Sequence, residues 1–384
     1  MANTKEKNTG KTENADYRLR SRIDDETILK VRDLHISFST KKGKIHAIRG
    51  VDFDLKRGEC IAIVGESGSG KSATVKALSG LMAENAQIES GSIELTYKNE
   101  YENLVTVDVA QMDKKWIRKN LNGKKVAMVF QDPMTSLDPL MPIGKQIMEG
   151  MLWNDKGLTR DVAEARAKEL LNEVGITDVD TTMKQFPHEL SGGMRQRVVI
   201  AIALSCDPEI LICDEPTTAL DVTMQAKILD LIVDLQIKRD LSVIFITHNL
   251  GVVAKVADYI YVMYAGKVVE KGNEIDIFFN PKHPYTWGLL ASMPQKDTSD
   301  KRLYCIPGTP PNLLYEVKGD AFAPRNKFAM KVDYKQEPPM FQINRTHFAA
   351  TWLLDERAPK IDPPEEIQGL IKRLKKELAA SLTE

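Results

Sequence analysis

Polar and apolar positions along the first hundred residues predict an antiparallel sheet. Residues 1–27 contain almost no large aliphatic side chains, and we expect a flexible polar extension there. Residues 28–38 (ILKVRDLHISF) alternate in part between apolar and polar, and residues 51–55 (VDFDL) alternate strictly. Such alternation predicts half-buried strands. Because residues 56–59 (KRGE) then turn the chain, we predict that these strands belong to an antiparallel sheet.

Three later runs are apolar without alternation. They are residues 60–64 (CIAIV), 210–213 (ILIC) and 243–246 (VIFI), and each is followed by polar residues. Runs of this kind are typical of strands that are covered on both faces, as in a parallel sheet between helices. The pattern therefore predicts an α/β core, with ligands bound at the carboxyl ends of the strands.

A helical insertion separates the first and second of these runs, over about residues 132–200. One apolar helix face within it is formed by Ala163, Ala167, Leu170, Leu171 and Val174. Residues 259–272 (YIYVMYAGKVVEKG) predict a hairpin that turns at Ala265 and Gly266.

The character of the chain changes after about residue 294. Prolines that include Pro307, Pro310, Pro311, Pro324, Pro338 and Pro339 break it into short pieces. A last helix places Ile367, Leu370, Ile371, Leu374 and Leu378 on one face. We predict a small proline-rich C-terminal domain over residues 295–384, after a first domain over residues 28–294.

Composition places the chain among soluble globular proteins. Its 384 residues suggest two domains, and 42 % hydrophobic and 28 % charged residues are ordinary values. A net charge of −1 gives no reason to expect nucleic acid as a partner. No apolar run approaches the roughly 18 residues of a membrane span. Cys60, Cys206, Cys213 and Cys305 are scattered, which favours reduced cysteines inside the cell.

Residues 65–72 (GESGSGKS) follow the first buried strand and fit the pattern GxxxxGK[ST]. Glycines let successive N–H groups turn inward around phosphate oxygens, and the following helix adds its dipole. Lys71 can then reach the β- and γ-phosphates, and the Ser72 hydroxyl can bind Mg²⁺. A plain glycine-rich turn is the alternative, but the strand before and the helix after favour a phosphate loop. Its predicted nucleotide-binding residues are Gly65, Glu66, Ser67, Gly68, Ser69, Gly70, Lys71, Ser72 and Ala73.

Acidic and basic side chains follow the other two buried strands. Asp214 and Glu215 end the second, and His248 ends the third. Alone, each has an ordinary structural interpretation. At the same sheet edge as a phosphate loop, Asp214 becomes a candidate Mg²⁺ ligand and Glu215 a candidate general base for water. These residues predict an ATPase or a GTPase.

Residues 190–197 (LSGGMRQR) precede a helical run, so their hydroxyl and amide groups would lie at a helix N-terminus. Together with the motifs above, they resemble the signature of ABC transporter ATP-binding subunits over residues 28–294. The resemblance implies an α/β, ABC-type P-loop NTPase with a RecA-like core, an antiparallel β subdomain and a helical subdomain. It also implies that two such domains face head to tail, with each signature closing over the partner's ATP.

The same resemblance implies roles for individual residues. Gln131 is the glutamine that contacts Mg²⁺ and senses γ-phosphate, and His248 contacts γ-phosphate during Glu215-assisted hydrolysis. Phe38 ends the first strand where an adenine-stacking aromatic usually lies; a core phenylalanine is the alternative, because aromatic residues are ordinary in strands. The implied metal ligands are Ser72, Gln131 and Asp214. The implied nucleotide contacts outside the phosphate loop are Phe38, Gln131, Ser191, Gly192, Gly193, Gln196, Asp221 and His248.

Other segments resemble the oligopeptide and dipeptide importers within that family. They are residues 130–139 (FQDPMTSLDP), 283–286 (HPYT), 306–313 (IPGTPPNL) and 322–325 (FAPR). This resemblance implies an ATPase that powers oligopeptide import from the cytoplasmic face of the cell membrane. The implied partners are a paralogous ATP-binding subunit, two transmembrane permease subunits and an extracellular or periplasmic peptide-binding protein, with no nucleic acid.

The tail departs from many members of that family at positions where they carry cysteines that look built to hold an iron–sulfur cluster. Here the corresponding residues are Asp320, Asn326, Asp333 and Thr351. Because such clusters need thiolates, we expect ATP and Mg²⁺ but no iron–sulfur cluster. We expect the tail to fold on packing alone, for instance around Phe322, Phe328, Phe348 and Trp352.

Three alternatives remain open at this point. The ATPase never touches the cargo, so the transported solute could equally be nickel or a sugar-like molecule. Soluble ABC ATPases that act on DNA or ribosomes carry long coiled coils or two cassettes, whereas this chain has one cassette and no sustained heptads. A regulator that binds nucleotide without hydrolysis would have no use for Asp214, Glu215 and His248.

Overall fold

The computed structural model describes residues 26–99, 101–218, 220–293 and 306–381. Almost all of the predicted polar extension lies outside these residues, and so do Cys305 and the side chain of Leu378. Within the described part of the chain, no helix is both long enough and apolar enough to cross a membrane.

A four-stranded antiparallel sheet forms the first layer, with the strand order β2-β1-β4-β5. Its strands are β1 (Thr27–Thr40), β2 (Gly43–Lys56), β4 (Ala86–Lys98) and β5 (Leu104–Asp108). The strict alternation in β2 predicts that its apolar side chains are buried, and Val51, Phe53 and Leu55 are indeed buried. The antiparallel sheet predicted from the pattern is thus confirmed.

The second sheet has eight strands in the order β11-β12-β10-β9-β3-β8-β7-β6. The parallel part consists of β3 (Cys60–Val64), β6 (Val126–Val129), β7 (Ile210–Asp214), β8 (Ser242–Thr247) and β9 (Tyr259–Tyr264). Every residue of β3, β7 and β8 is buried. Absence of alternation therefore identified these strands correctly, because both of their faces are covered.

Helices surround this sheet and fill the region between β6 and β7. They are α1 (Lys71–Leu78), α2 (Lys114–Asn120), α3 (Pro133–Ser136), α4 (Ile143–Asn154), α5 (Arg160–Glu173), α6 (Val179–Thr182), α7 (Gly192–Leu204), α8 (Val222–Arg239) and α9 (Leu250–Val256). The predicted apolar face of α5 is buried against the core of this helical region. Short 3₁₀ turns occur at Val109–Gln111 and Pro187–Glu189.

The predicted hairpin is present as β9 and β10 (Lys267–Asn273). Its turn places Ala265 at φ 46° and Gly266 at φ 80°. Helices α10 (Glu274–Phe279) and α11 (Pro284–Ala291) follow it. This part of the chain brings the tail back toward the sheet.

The tail pairs with the large sheet and packs against its core. From the sequence we expected it to fold around its own aromatic residues instead. Strand β12 (Phe348–Ala349) pairs with β10, and β11 (Phe341–Gln342) pairs with β12. Phe322 lies in one cluster with Ala62 and Val64 of β3, and Phe328 packs against that cluster. Phe348 instead lies beneath Lys271, and Trp352 contacts Phe341. The free edge of β10 explains this arrangement, because its N–H and C=O groups need partners.

Two further 3₁₀ turns and one helix complete the tail. They are Ala323–Arg325, Trp352–Leu354 and α12 (Glu365–Ser381). Ile367 and Leu370 of α12 are buried in the same cluster as Phe322. The helix therefore contributes to the shared core as its apolar face predicts.

Candidate nucleotide-binding site

The phosphate loop lies between the end of β3 and the start of α1. Gly70 has φ 106°, a left-handed conformation that glycine adopts without strain, and it directly precedes α1. At Gly65, a Cβ atom would come within 2.1 Å of the Met263 carbonyl oxygen. Glycine is therefore required at Gly65 because the loop packs directly against the end of β9.

Lys71 is held against the loop by two backbone carbonyls. Its Nζ donates hydrogen bonds to the Gly65 carbonyl at 2.7 Å and to the Glu66 carbonyl at 3.0 Å. Burial lowers the pKa of Lys71, while the carboxylates of Glu215, Asp214 and Glu66 oppose that shift. The ammonium group is thus positioned beside the loop that it is predicted to serve.

Ser72 and Asp214 meet across the sheet edge. The Ser72 hydroxyl donates to Asp214 Oδ1 at 2.9 Å, although the two residues are 142 positions apart. Burial raises the pKa of Asp214, because the carboxylate at the end of β7 is removed from water. A buried carboxylate beside a hydroxyl offers the hard oxygen ligands that Mg²⁺ prefers.

The Glu215 carboxylate is the centre of a second group of side chains. Its Oε2 accepts hydrogen bonds from Gln131 Nε2 at 3.4 Å and from Thr218 Oγ1 at 3.1 Å, and it lies 3.2 Å from His248 Nδ1. Glu215 itself has φ 49°, in the left-handed region that is uncommon for non-glycine residues. The N–H of Glu215 donates to the Ile246 carbonyl at 3.0 Å, which holds this conformation.

These groups border one cleft of about 850 Å³. Ligand pockets are about 300–1,000 Å³, so the cleft has room for a nucleotide. Its lining residues are Ala47, Glu66, Ser67, Gly68, Gly70, Lys71, Ser72, Ala73, Gln131, Glu215, Thr218, His248, Leu289, Ser292 and Ile306. Gly65, Ser69 and Asp214 are buried behind this surface.

Five lining residues were not among those predicted from the sequence: Ala47, Thr218, Leu289, Ser292 and Ile306. Thr218 lies three residues after Glu215, and that spacing is the one signal that could have identified it. The other four come from distant segments that the fold brings together.

The predicted signature residues lie outside this cleft. Ser191 is exposed and caps α7 by accepting a hydrogen bond from the Met194 N–H at 3.3 Å. Asp221 is exposed and caps α8 in the same way. Gly192 is exposed, whereas Gly193 and Gln196 are buried, and the Gln196 amide nitrogen has no hydrogen-bond partner among the described residues. Their nucleotide contacts remain predictions.

Phe38 also lies outside the lining residues. It is half-buried on β1, pairs with Ile45 and Ala86 across the antiparallel sheet, and packs against that sheet's apolar core. Adenine stacking by Phe38 therefore remains a prediction.

The four tail residues that the resemblance places at cysteine positions of relatives act as local hydrogen-bond acceptors. Their side chains accept hydrogen bonds from backbone N–H groups two residues later or three residues earlier in the chain. The donors are Phe322 to Asp320, Phe328 to Asn326, Met330 to Asp333 and Leu353 to Thr351. All four are buried. Each therefore stabilises a turn of the tail in its own right.

The fold and the cleft define a P-loop nucleotide site of the ABC type, and comparisons agree. A family model described as ABC transporter matches residues 36–218, and one described as the C-terminal region of oligopeptide/dipeptide transporters matches residues 269–332. A dimeric post-hydrolysis structure of the ATP-binding cassette MJ0796 with ADP and Pi aligns with a TM-score of 0.54 at 25 % identity. That alignment covers 64 % of this chain and 98 % of the other.

Relatives of known name match over most of the chain. The dipeptide transport ATP-binding protein DppD of Lactococcus lactis subsp. cremoris is 54 % identical, over 91 % of this chain and 97 % of the relative. The oligopeptide transport ATP-binding protein OppD of Bacillus subtilis is 52 % identical, over 90 % of this chain and 94 % of the relative. The chain belongs to the ABC transporter family, among the ATPase subunits of the oligopeptide and dipeptide transporters.

Proposed function

We propose that this chain is the ATP-binding and ATP-hydrolysing subunit that powers oligopeptide import through a membrane permease. One observation carries the proposal: Ser72 meets Asp214, and Gln131 and His248 meet Glu215, beside one cleft. Similarity to DppD and OppD supports peptides as the cargo.

The phosphate loop supplies the binding step. Backbone N–H groups of residues 65–72 and the N-terminus of α1 attract the phosphates, and Lys71 contacts the β- and γ-phosphates. Phe38 stacks on the adenine. Ser72, Gln131 and Asp214 would hold Mg²⁺, which neutralises charge on the phosphates when it is bound.

Hydrolysis depends on the Glu215 carboxylate. Acting as general base, it takes a proton from the water that attacks the γ-phosphorus, and the bond from γ-phosphorus to the β–γ bridging oxygen breaks to release ADP. Gln131 and His248 orient that carboxylate through the contacts described above, and His248 also contacts γ-phosphate. The left-handed backbone at Glu215 directs the carboxylate toward the cleft, as strained residues often do at functional sites.

A second ATP-binding subunit completes each site. Ser191, Gly192, Gly193, Gln196 and Asp221 lie outside this chain's own cleft, and we propose that they contact ATP held by a paralogous subunit facing head to tail. The N-terminus of α7 is a suitable anion site. Closure of the dimer on ATP and its opening after hydrolysis then form the power stroke.

The stroke reaches the permease through the surface that follows Gln131. Met134 and Leu140 are exposed there, with 45 % and 86 % of their surface accessible. The proposed assembly contains two transmembrane permease subunits and an extracellular or periplasmic peptide-binding protein. This chain lies at the cytoplasmic face of the membrane and has no nucleic acid partner.

Mild-detergent purification from native membranes, followed by ATPase assays, tests the proposal. We expect two permease subunits, a second ATPase and a solute-binding protein with bound peptide. In the complex, Glu215→Gln should lower kcat about 100-fold or more while ATP still binds, because the general base is lost. The matched Glu164→Gln, on the half-exposed surface of α5, should leave kcat unchanged.

Three results would contradict the proposal. Recovery of soluble partners alone would favour a soluble ABC ATPase. A nickel or sugar-like cargo on the solute-binding protein would replace peptides as the substrate. Equal ATP hydrolysis by the wild-type complex and by Glu215→Gln would show that another group acts as the base.

A further inference from the structure

Residues of the C-terminal part hold the second residue of the phosphate loop. The Glu66 N–H donates to the Tyr285 hydroxyl at 2.7 Å. The Glu66 carboxylate accepts two hydrogen bonds from Arg325, from Nη1 at 2.6 Å and from Nη2 at 3.0 Å. Arg325 is 259 positions further along the chain. The loop is therefore fixed at both its backbone and its side chain by elements that follow the hairpin.

The Arg325 guanidinium is itself held firmly. Its side chain is 4 % exposed, and Nε donates to the Pro307 carbonyl at 2.8 Å. The group lies 5.7 Å and 5.8 Å from the ring centroids of Tyr264 and Phe322. A planar, two-pronged donor fixed in this way gives the pair with Glu66 one defined geometry.

The charge of this ion pair lies beside the nucleotide cleft. Glu66 lines the nucleotide cleft, and its side chain keeps 27 % exposure. Its carboxylate is close enough to influence the pKa of Lys71, which contacts the loop. A nucleoside triphosphate brings several negative charges to the same place. Without a cation on its other side, the Glu66 carboxylate would repel the phosphates.

We propose that Arg325 is a positioning residue for ATP binding. Its guanidinium neutralises the Glu66 carboxylate and fixes the phosphate loop, and the tail thereby sets the ATP affinity of the cleft. The inference rests on the proposed function, since both concern the same cleft. Ile306, directly before Pro307, also lines that cleft. A shift of the tail would consequently change both the cleft wall and the charge at its loop.

A double-mutant cycle on the full-length chain tests the inference. The variants are Arg325→Met, Glu66→Gln and the double substitution, and the measurement is the Kd for MgATP by titration calorimetry. We expect Arg325→Met to raise Kd about tenfold or more when Glu66 is intact, because the carboxylate is left unpaired. In the Glu66→Gln background the same substitution should raise Kd less than about threefold, because no charge remains to be neutralised.

The cycle separates charge from packing, because both Arg325→Met chains lose the same side-chain contacts. Arg325→Lys restores the charge without the fork and should give a Kd between those of wild type and Arg325→Met. Arg357→Met, at an exposed ion pair with Asp355, is the matched control and should leave Kd unchanged.

Either of two results would overturn the inference. An equal rise in Kd in both backgrounds would show that Arg325 acts only through packing, and no rise in either would show that the pair is irrelevant to binding. Failure of the wild-type chain to bind MgATP would instead overturn the proposed function, so the two failures are distinguishable.

Discussion

Asp320 illustrates at the residue scale what burial does to a single carboxyl group. It is 7 % exposed, and burial raises its pKa to about 6, with the Asp333 carboxylate adding to the effect. Its Oδ1 accepts the Phe322 N–H at 2.9 Å, which partly opposes that shift. Asp320 therefore stabilises a turn as a hydrogen-bond acceptor, while the negative charge of its buried carboxylate lowers the stability of the folded state.

This pKa predicts a pH dependence with a definite sign. Between an unfolded pKa of 3.8 and a folded pKa of about 6, the native state binds more protons than the unfolded state. The free energy of unfolding must then fall as pH rises through this window. Asp320→Asn keeps the acceptor and removes the charge. The free energy of unfolding of Asp320→Asn, relative to that of wild type, should rise by about 1–3 kcal/mol between pH 4 and pH 7. Urea unfolding at the two pH values measures this difference.

Asp362→Asn serves as the control, since Asp362 is exposed and its substitution should change the unfolding free energy little at either pH. A constant difference between Asp320→Asn and wild type across this range would show that Asp320 ionises equally in both states.

At the scale of elements, the β9–β10 hairpin supports the phosphate loop. The Gly266 N–H donates to the Ser69 carbonyl at 2.9 Å, and the Gly266 carbonyl accepts the Arg49 N–H at 2.9 Å. A Cβ atom at Gly266 would lie 2.4 Å from the Ala47 carbonyl oxygen. The tip of the hairpin is thus packed against two segments that border the cleft.

Gly266→Ala should therefore affect both stability and ATP binding. The left-handed backbone at φ 80° and the contact with Ala47 together should cost about 2–4 kcal/mol in the free energy of unfolding. We expect a higher Kd for MgATP as well, because the clash with Ala47 would displace the turn and weaken the hydrogen bond from the residue 266 N–H to the Ser69 carbonyl. Chemical unfolding and calorimetry measure the two effects.

Gly369→Ala provides the matched control, because Gly369 lies in α12 with no atom within 4 Å of an added Cβ. Alanine is favoured in helices, so this variant should be neutral or slightly stabilising. Wild-type stability and ATP affinity in Gly266→Ala would disprove the link between hairpin and loop.

Local pattern predicted most elements but few of the contacts between distant ones. Absence of alternation identified β3, β7 and β8, and the dipeptide Ala265-Gly266 identified the hairpin turn. The pairing of β12 with β10 left no such signal, because a two-residue strand has no period to detect. The motif spacing placed Ser72 and Asp214 at one sheet edge. Nothing local indicated that Arg325 would meet Glu66.

For the whole molecule, the important feature is the core that the tail shares with the sheet. The Phe322 ring lies 5.2 Å from that of Tyr264 on β9 and 5.4 Å from that of Tyr285 on α11, measured between centroids. Phe322 is 2 % exposed. A substitution that loosens the packing of the tail should consequently also destabilise the sheet that carries the nucleotide site.

Phe322→Ala tests this consequence. It should lower the free energy of unfolding by about 3–5 kcal/mol, because it removes a large buried ring. Backbone amides of β9 should then exchange with solvent faster in hydrogen-exchange measurements. Phe341→Ala, at the half-buried edge strand β11, should cost about 1 kcal/mol or less. Faster exchange confined to the tail would indicate a separately folding unit.

The short strands at one side of the large sheet have a consequence for solubility. Without them, the edge of β10 that faces away from β9 would be open, with unpaired N–H and C=O groups on alternate residues of this seven-residue strand. Such an edge is a template for pairing with another chain and for aggregation. The strands β12 and β11 cover part of this edge. Each is only two residues long, which is too short to recruit a further strand. The tail thereby leaves little open sheet edge on this side for pairing with a second copy of the chain.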